Sequence, residues 1–315
     1  MTDSRPIGVA IQAAHAAATV EQIRLAESMG IERAWQTTGG AAPDALTTFA
    51  AALVSTDRIL LGTAIIPTWP RHPIAIAQQV VALESLAPGR LRLGIGPSHE
   101  PAMAPAFGVE WRSPLTQLRE YLTVLRALLH EGEVDFEGSH VTAHMRLART
   151  VETPIMASAL RPRSFETCGE LADGAISWVC PADFLEREAL PALQRGAERA
   201  GRETPPLIAH IPICVSEDIE EVRAASRQQL GRYAQIPFYN AMFADAGFPD
   251  AGDDFSDGLI DALVVHGSEQ AVAERLGALL DRGFGEILAM PLVTGEDREA
   301  SIERSFAAVA RAARG

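Results

Sequence analysis

Lysine is absent from this 315-residue chain, so all 27 of its basic residues are arginine. That excludes a lysine Schiff base and a P-loop lysine. Any anionic group must be held by arginine, histidine or backbone N–H. Cysteine is scarce. Cys168, Cys180 and Cys214 are odd in number and scattered, which matches neither a disulfide framework nor a metal-binding spacing and reads as reduced thiols. No apolar run is long enough to span a bilayer. The start, Met1 to Pro6, lacks the charged-then-apolar layout of a secretory signal. The expectation is a cytoplasmic protein with no membrane partner. A net charge of −14, with no basic stripe interleaved with aromatics, argues against nucleic acid.

What is present is an ordinary globular composition, 47% hydrophobic with a mean hydropathy of +0.06. The most informative stretch is Arg58 to His99. An apolar run ends in Trp69-Pro70-Arg71-His72-Pro73. A helix-period segment follows, then Pro88-Gly89, then a second apolar strand running into Gly94-Ile95-Gly96-Pro97-Ser98-His99. Polar and glycine residues gather where strands end, which is where parallel α/β folds build their sites.

The same alternation runs through the whole chain. Strands are expected at Ile7–Gln12, Arg33–Thr37, Ile59–Ile66, Leu91–Ile95, Thr153–Ala159, Ala175–Val179, Leu207–Val215 and Glu286–Pro291. Helices are expected at Val20–Met29 with Thr19 as N-cap, Asp44–Ser55, Pro73–Leu86, Leu115–Leu129, Pro162–Leu171, Asp183–Ala200, Asp218–Ala234, Ser268–Asp281 and Arg298–Ala313. Gly96–Ser113 reads as a long loop, and Val134–Ala143 as an accessory hairpin with Gly138 near its turn. Eight strand–helix units predict an α/β (β/α)8 TIM barrel, with a doubly wound sheet as the alternative. No linker or composition break divides the chain, so one domain over 1–315 is expected. Gln235–Leu259 is an irregular, aromatic-bearing insertion expected over the C-terminal mouth.

Several catalytic motifs fail. Gly94-Ile95-Gly96 lacks the third glycine of a dinucleotide fingerprint, because His99 stands there. His99-Glu100 and His130-Glu131 suggest zincin motifs, but Met103 and Val134 occupy the place of the second histidine. No G-x-S-x-G elbow or Asp-rich calcium loop occurs. No metal site is expected.

The chain resembles the luciferase-like barrel superfamily. The resemblance rests on Arg58-Ile59…Leu61-Gly62-Thr63, Arg71-His72-Pro73, Gly89-Arg90…Leu93 to His99, Arg119-Glu120-Tyr121 with Leu125-Arg126, Gly169 to Gly174, and Val265-His266-Gly267-Ser268. Gly-Pro-Ser-His after strand four is most similar to the oxidoreductases that depend on deazaflavin (coenzyme F420). The FMN-dependent luciferase-like monooxygenases form the neighbouring branch. The resemblance implies an enzyme that exchanges a hydride between deazaflavin and a small organic substrate carrying an activated C=C, C=N or carbonyl. FMN is the alternative cofactor. A non-catalytic flavin- or deazaflavin-binding protein is a third reading. Relatives are often homodimers.

The resemblance also implies site residues. Ala64-Ile65 matches a non-proline cis peptide that props the cofactor ring. Gly96, Pro97 and Ser98 match ring-edge contacts, with His99 a proton donor or substrate contact. Ser158, Ala159, Leu160, Arg161 and Pro162 match the loop that holds the ribityl-phosphate arm. Arg161 replaces a common glycine there, and a guanidinium suits a phosphate or an oligoglutamate tail. Arg163 is a second candidate. At the end of strand two, Thr38 and Gly39 stand where relatives carry an acid–histidine pair. Gln36 and Thr38 can hydrogen-bond there but supply no proton near neutral pH. The remaining acid–base candidates are His15, His72, His99 and Glu100, the last through burial of its carboxyl. His210 lies mid-strand and points either inward or outward. Trp178 is a candidate wall beside a flat ring, and Trp69 is similar.

Overall fold

The protein is described by a computed structural model that covers residues 5–39 and 42–315. The reading of Met1–Ser4 lies outside the described residues. Eight strands, Ile7–Ile11, Arg33–Gln36, Leu60–Thr63, Leu91–Gly96, Ile155–Ser158, Gly174–Ile176, Leu207–Cys214 and Glu286–Pro291, pair in parallel in that order. The last also pairs with the first, which closes the sheet into the expected barrel. Helices cover the outside, so the strands are buried on both faces and read as continuous apolar runs. None of the helices is long and apolar enough to cross a membrane, among the described residues.

The barrel interior is organised around Trp35. Its ring lies so close to strand three that a Cβ on Gly62 would fall 2.2 Å from it. Only glycine fits there. Below Trp35, at the N-terminal end, its Nε1 donates to Glu286 Oε1 at 2.6 Å, and Arg92 Nη1 donates to Glu286 Oε2 at 2.6 Å. Arg33 Nε lies 3.6 Å from the same carboxylate, and the Arg92 guanidinium sits 4.5 Å over the indole. One end of the barrel is thereby plugged by a charged cluster.

Four expectations shift on inspection. The first helix is Ala16–Ser28, capped by His15 rather than Thr19, which lies buried one turn further on. The segment expected as a long loop contains the helix Glu100–Phe107, ended by left-handed Gly108. The hairpin pairs Glu133–Glu137 with Thr142–Arg146, longer than Val134–Ala143. Its Gly138 does lie at the turn, where its N–H donates to Val141 O at 2.8 Å. The insertion is also not irregular. It holds the helix Pro237–Asp245 and the start of Asp257–Leu263. Pro237 suits a first helical position, and Tyr239, Met242 and Phe243 form the buried face of that helix.

Candidate active site at the C-terminal mouth

At the opposite end from the Trp35 plug, the strand ends are irregular. Strand three stops at Thr63, whose hydroxyl donates to Gly94 O at 2.7 Å and accepts from Gly94 N at 2.8 Å. That side chain replaces the backbone ladder between strands three and four. The Ala64–Ile65 peptide that follows is cis. Ala64 N donates to Gln36 O at 2.8 Å, and Ile65 O accepts from Thr38 N at 3.2 Å. The ladder then resumes at Ile66–Pro67 beside Ile95 and Gly96. A Cβ on Gly96 would lie 2.0 Å from Ser158 Oγ and 3.4 Å from Ile65 Cγ1. Ile65, Gly96 and Ser158 therefore meet as a tight floor.

Strand two contributes two polar residues. Thr38 Oγ1 accepts from Ala45 N at 3.0 Å, so its hydroxyl caps the next helix. Gln36 is only 5% exposed, yet its Oε1 has no hydrogen-bond partner among the described residues. A buried acceptor without a donor carries a desolvation cost of about 1–3 kcal/mol.

Across the mouth, Ser98 adopts φ +61° and His99 follows it half-buried. The His99 ring stacks on Phe238 with centroids 5.3 Å apart and planes 14° apart. Tyr239 and Tyr233 complete its surroundings at 5.6 and 6.5 Å. Burial first, and then the Arg232 charge, push the His99 pKa below its ordinary value. The ring is therefore neutral at pH 7. Its Nδ1 lies 3.4 Å from Ser98 Oγ, which leaves Nε2 as the second site for a proton.

Strands six and seven supply the back wall. Trp178 stacks on His210 at 3.8 Å and donates from Nε1 to Tyr233 Oη at 2.8 Å. Val179, a β-branched residue at φ +49°, donates its N–H to His210 Nδ1 at 3.1 Å. His210 thus points inward, is fully buried, and approaches Met290 Sδ at 3.3 Å. Desolvation pushes its pKa down to about 3. It is a neutral pillar of the wall, not a proton carrier.

Other candidates fall into place separately. In the strand-five loop, Ser164 Oγ accepts from Leu160 N at 3.0 Å and from Arg161 N at 3.2 Å. Arg161 Nε donates to Asp245 Oδ2 at 3.0 Å. Exposed Arg163 has no ion-pair partner among the described residues. Ala159 is buried, while Pro97 and Pro162 are half-buried.

His15 and His72 are not brought into the aromatic cluster around His99. Each caps a helix. His15 Nδ1 accepts from Ala18 N at 3.2 Å, and His72 Nδ1 from Ile74 N at 3.2 Å. His72 Nε2 also donates to Thr142 O of the hairpin at 2.9 Å. Glu100 is exposed on the first turn of its helix, so the apolar burial that would suit it to acid catalysis is missing. Trp69 packs on Trp111 at 5.2 Å and on the edge of His140 at 5.9 Å, beside the hairpin.

The mouth also uses residues that sequence reasoning passed over. These are Thr63, Tyr233 and the insertion residues Phe238, Tyr239 and Asp245. The aromatic content of the insertion was a visible signal, but its helical spacing at Tyr239, Met242 and Phe243 went unused.

Over 306 residues the chain is 28% identical to a 5,10-methylenetetrahydromethanopterin reductase of Methanolobus tindarius, covering 89% of this chain and 91% of that one. Over 198 residues it is 34% identical to an F420-dependent glucose-6-phosphate dehydrogenase of Beutenbergia cavernae, covering 60% and 59%. The fold superposes on an F420-dependent secondary alcohol dehydrogenase, solved with an F420–acetone adduct, at a TM-score of 0.83. That match covers 98% of this chain and 99% of the other at 19% identity. The luciferase-like monooxygenase profile matches residues 2–286, and the chain belongs to that family.

Proposed function

We propose that this protein is an F420-dependent oxidoreductase of the luciferase-like family that interconverts a small alcohol and its carbonyl compound at the C-terminal mouth. The observation that carries the reading is the tight floor of Ile65, Gly96 and Ser158 at the strand ends, where a Cβ on Gly96 would lie 2.0 Å from Ser158 Oγ. A flat ring matches that floor and the aromatic and apolar walls beside it. The relatives named for F420 support the choice of cofactor. When bound, the deazaflavin supplies the hydride acceptor or donor.

The protein's own groups would act as follows. Ser98 holds a ring-edge polar atom, and Ile65 with Gly96 supports the ring from one side. Trp178 forms a wall, and Arg161 with Arg163 holds the phosphate-bearing arm. Phe238, Tyr239 and Tyr233 exclude water from the reacting centre. His99 moves the proton. Its depressed pKa keeps the imidazole neutral, so Nε2 accepts the hydroxyl proton as an alcohol is oxidised and returns it in the reverse direction. This replaces the acid–histidine pair missing at Thr38 and Gly39. The net charge of −14 disfavours a nucleic-acid partner.

Titrating the apoprotein with deazaflavin and with FMN, followed by fluorescence quenching, tests the reading. Saturable binding of deazaflavin, with reduction of the cofactor by a secondary alcohol, is expected. Binding of FMN alone would overturn it in favour of the monooxygenase branch.

A further inference from the structure

Arg161 stands at the end of strand five, before the helix Pro162–Leu171. Its guanidinium is already engaged: Nε and Nη2 lie 3.0 and 2.9 Å from Asp245 Oδ2. Asp245 is the last residue of the insertion helix Pro237–Asp245. The same helix places Phe238 and Tyr239 against His99 of strand four, and the preceding turn bonds Tyr233 to Trp178 of strand six. Those anchors are aromatic and indifferent to charge. The anchor to strand five is an ion pair whose side chains are 50% and 43% exposed. Pairs of this kind are weak and exchangeable.

We propose that Asp245 is an internal counter-anion that holds Arg161 until the anionic arm of the cofactor displaces it, so that Asp245 sets the affinity and charge selectivity of the mouth. The inference rests on the cofactor reading above. A phosphate offers a guanidinium more charge and a two-pronged acceptor, so it displaces a single carboxylate oxygen. The chain has no lysine to do this work. Asp245 remains close to Arg161 after exchange, held by the aromatic anchors, and competes with the arm for the guanidinium. It weakens every phosphate-bearing ligand and leaves ligands without phosphate untouched.

The test compares ligands that differ only in the arm: FMN against riboflavin, and intact deazaflavin cofactor against the deazaflavin alcohol lacking phosphate. Asp245→Asn should tighten the phosphate-bearing member of each pair about two- to fivefold, the range expected for an exposed ion pair. Riboflavin and the deazaflavin alcohol should bind as to the native protein. In an Arg161→Gln background the effect of Asp245→Asn should shrink toward nothing, and high salt should narrow it. Equal changes for both members of a pair mean a structural effect of the insertion and overturn the proposal. No change, or weaker binding of the phosphate-bearing ligand, overturns it too. If the native protein does not bind deazaflavin, the cofactor reading itself fails. If it binds deazaflavin and Asp245→Asn has no effect, only this inference fails.

Discussion

The two ends of the barrel solve opposite problems with similar residues. At the N-terminal end, Glu286 is 3% exposed and takes hydrogen bonds from Trp35 and Arg92, with Arg33 alongside. Apart from Arg33 Nη1, that cluster leaves no orphaned buried polar atom among the described residues. At the C-terminal mouth, Gln36 Oε1 lacks a partner. Ser98 and Val179 hold positive φ there, and half-buried rings stack under a separate insertion. A left-handed backbone at a β-branched residue costs of order 1–3 kcal/mol and persists only where neighbours enforce it. The His210 hydrogen bond is the enforcing contact for Val179. One end is closed by a charged cluster around a single carboxylate, whereas the other carries a strained backbone and stacked, half-buried rings.

The contrast breaks most sharply at Glu286. Glu286→Ala leaves Arg92 buried without a counter-charge, and removing one partner of a buried pair costs about 3–5 kcal/mol. A large drop in the chemical-denaturation midpoint is expected, while the folded fraction keeps its cofactor affinity. A variant of native stability would show that the plug contributes nothing.

The mouth should respond in function rather than stability. His99→Ala removes the proposed proton carrier, and general acid–base groups contribute roughly 10²–10⁴-fold to rate. Alcohol oxidation should fall about 10²-fold or more, while deazaflavin binding changes far less. Unchanged turnover would remove His99 from the mechanism.

His210 sharpens the comparison by pH. Its folded pKa, about 3, lies below the ordinary 6.5, so the unfolded chain binds the proton more readily. The stability it contributes is complete above about 6.5 and is lost as pH falls toward the folded value. Near the steepest part this amounts to about 1.4 kcal/mol per pH unit from one such group. Native protein should lose stability through this window more steeply than His210→Asn, whose amide oxygen can still accept the Val179 N–H. Denaturation midpoints measured from pH 7 to 4 compare the two slopes. Parallel slopes would mean that His210 titrates normally.

The barrel was legible because its strands are buried on both faces and are mostly apolar, from Ile7–Ile11 to Glu286–Pro291. The end of strand four was legible because Gly96-Pro97 breaks the apolar run there. The insertion was harder to read. Its helix is short, starts at a proline, and is stabilised by contacts with His99 and Trp178 that are distant in sequence. The charge pairing of Arg161 with Asp245, 84 residues apart, follows from tertiary placement alone. Histidines proved the least legible residues. His15 and His72 follow strands as His99 does, yet a local helix start claims their Nδ1 atoms. An imidazole nitrogen can stand in for the usual Ser, Thr or Asp cap, a substitution that residue type does not announce.

That last distinction gives the smallest expected effect. His72→Ala removes a cap worth typically about 1 kcal/mol, together with the hydrogen bond to Thr142 O of the hairpin. His72→Asn keeps an acceptor for Ile74 N and loses only the bond to Thr142. The asparagine variant should therefore recover most of the stability that alanine loses. Both variants should keep native deazaflavin affinity and turnover, because His72 belongs to the scaffold beside the mouth. A turnover defect in His72→Asn with unaltered stability would place His72 in the reaction and shift the boundary between scaffold and site toward strand three.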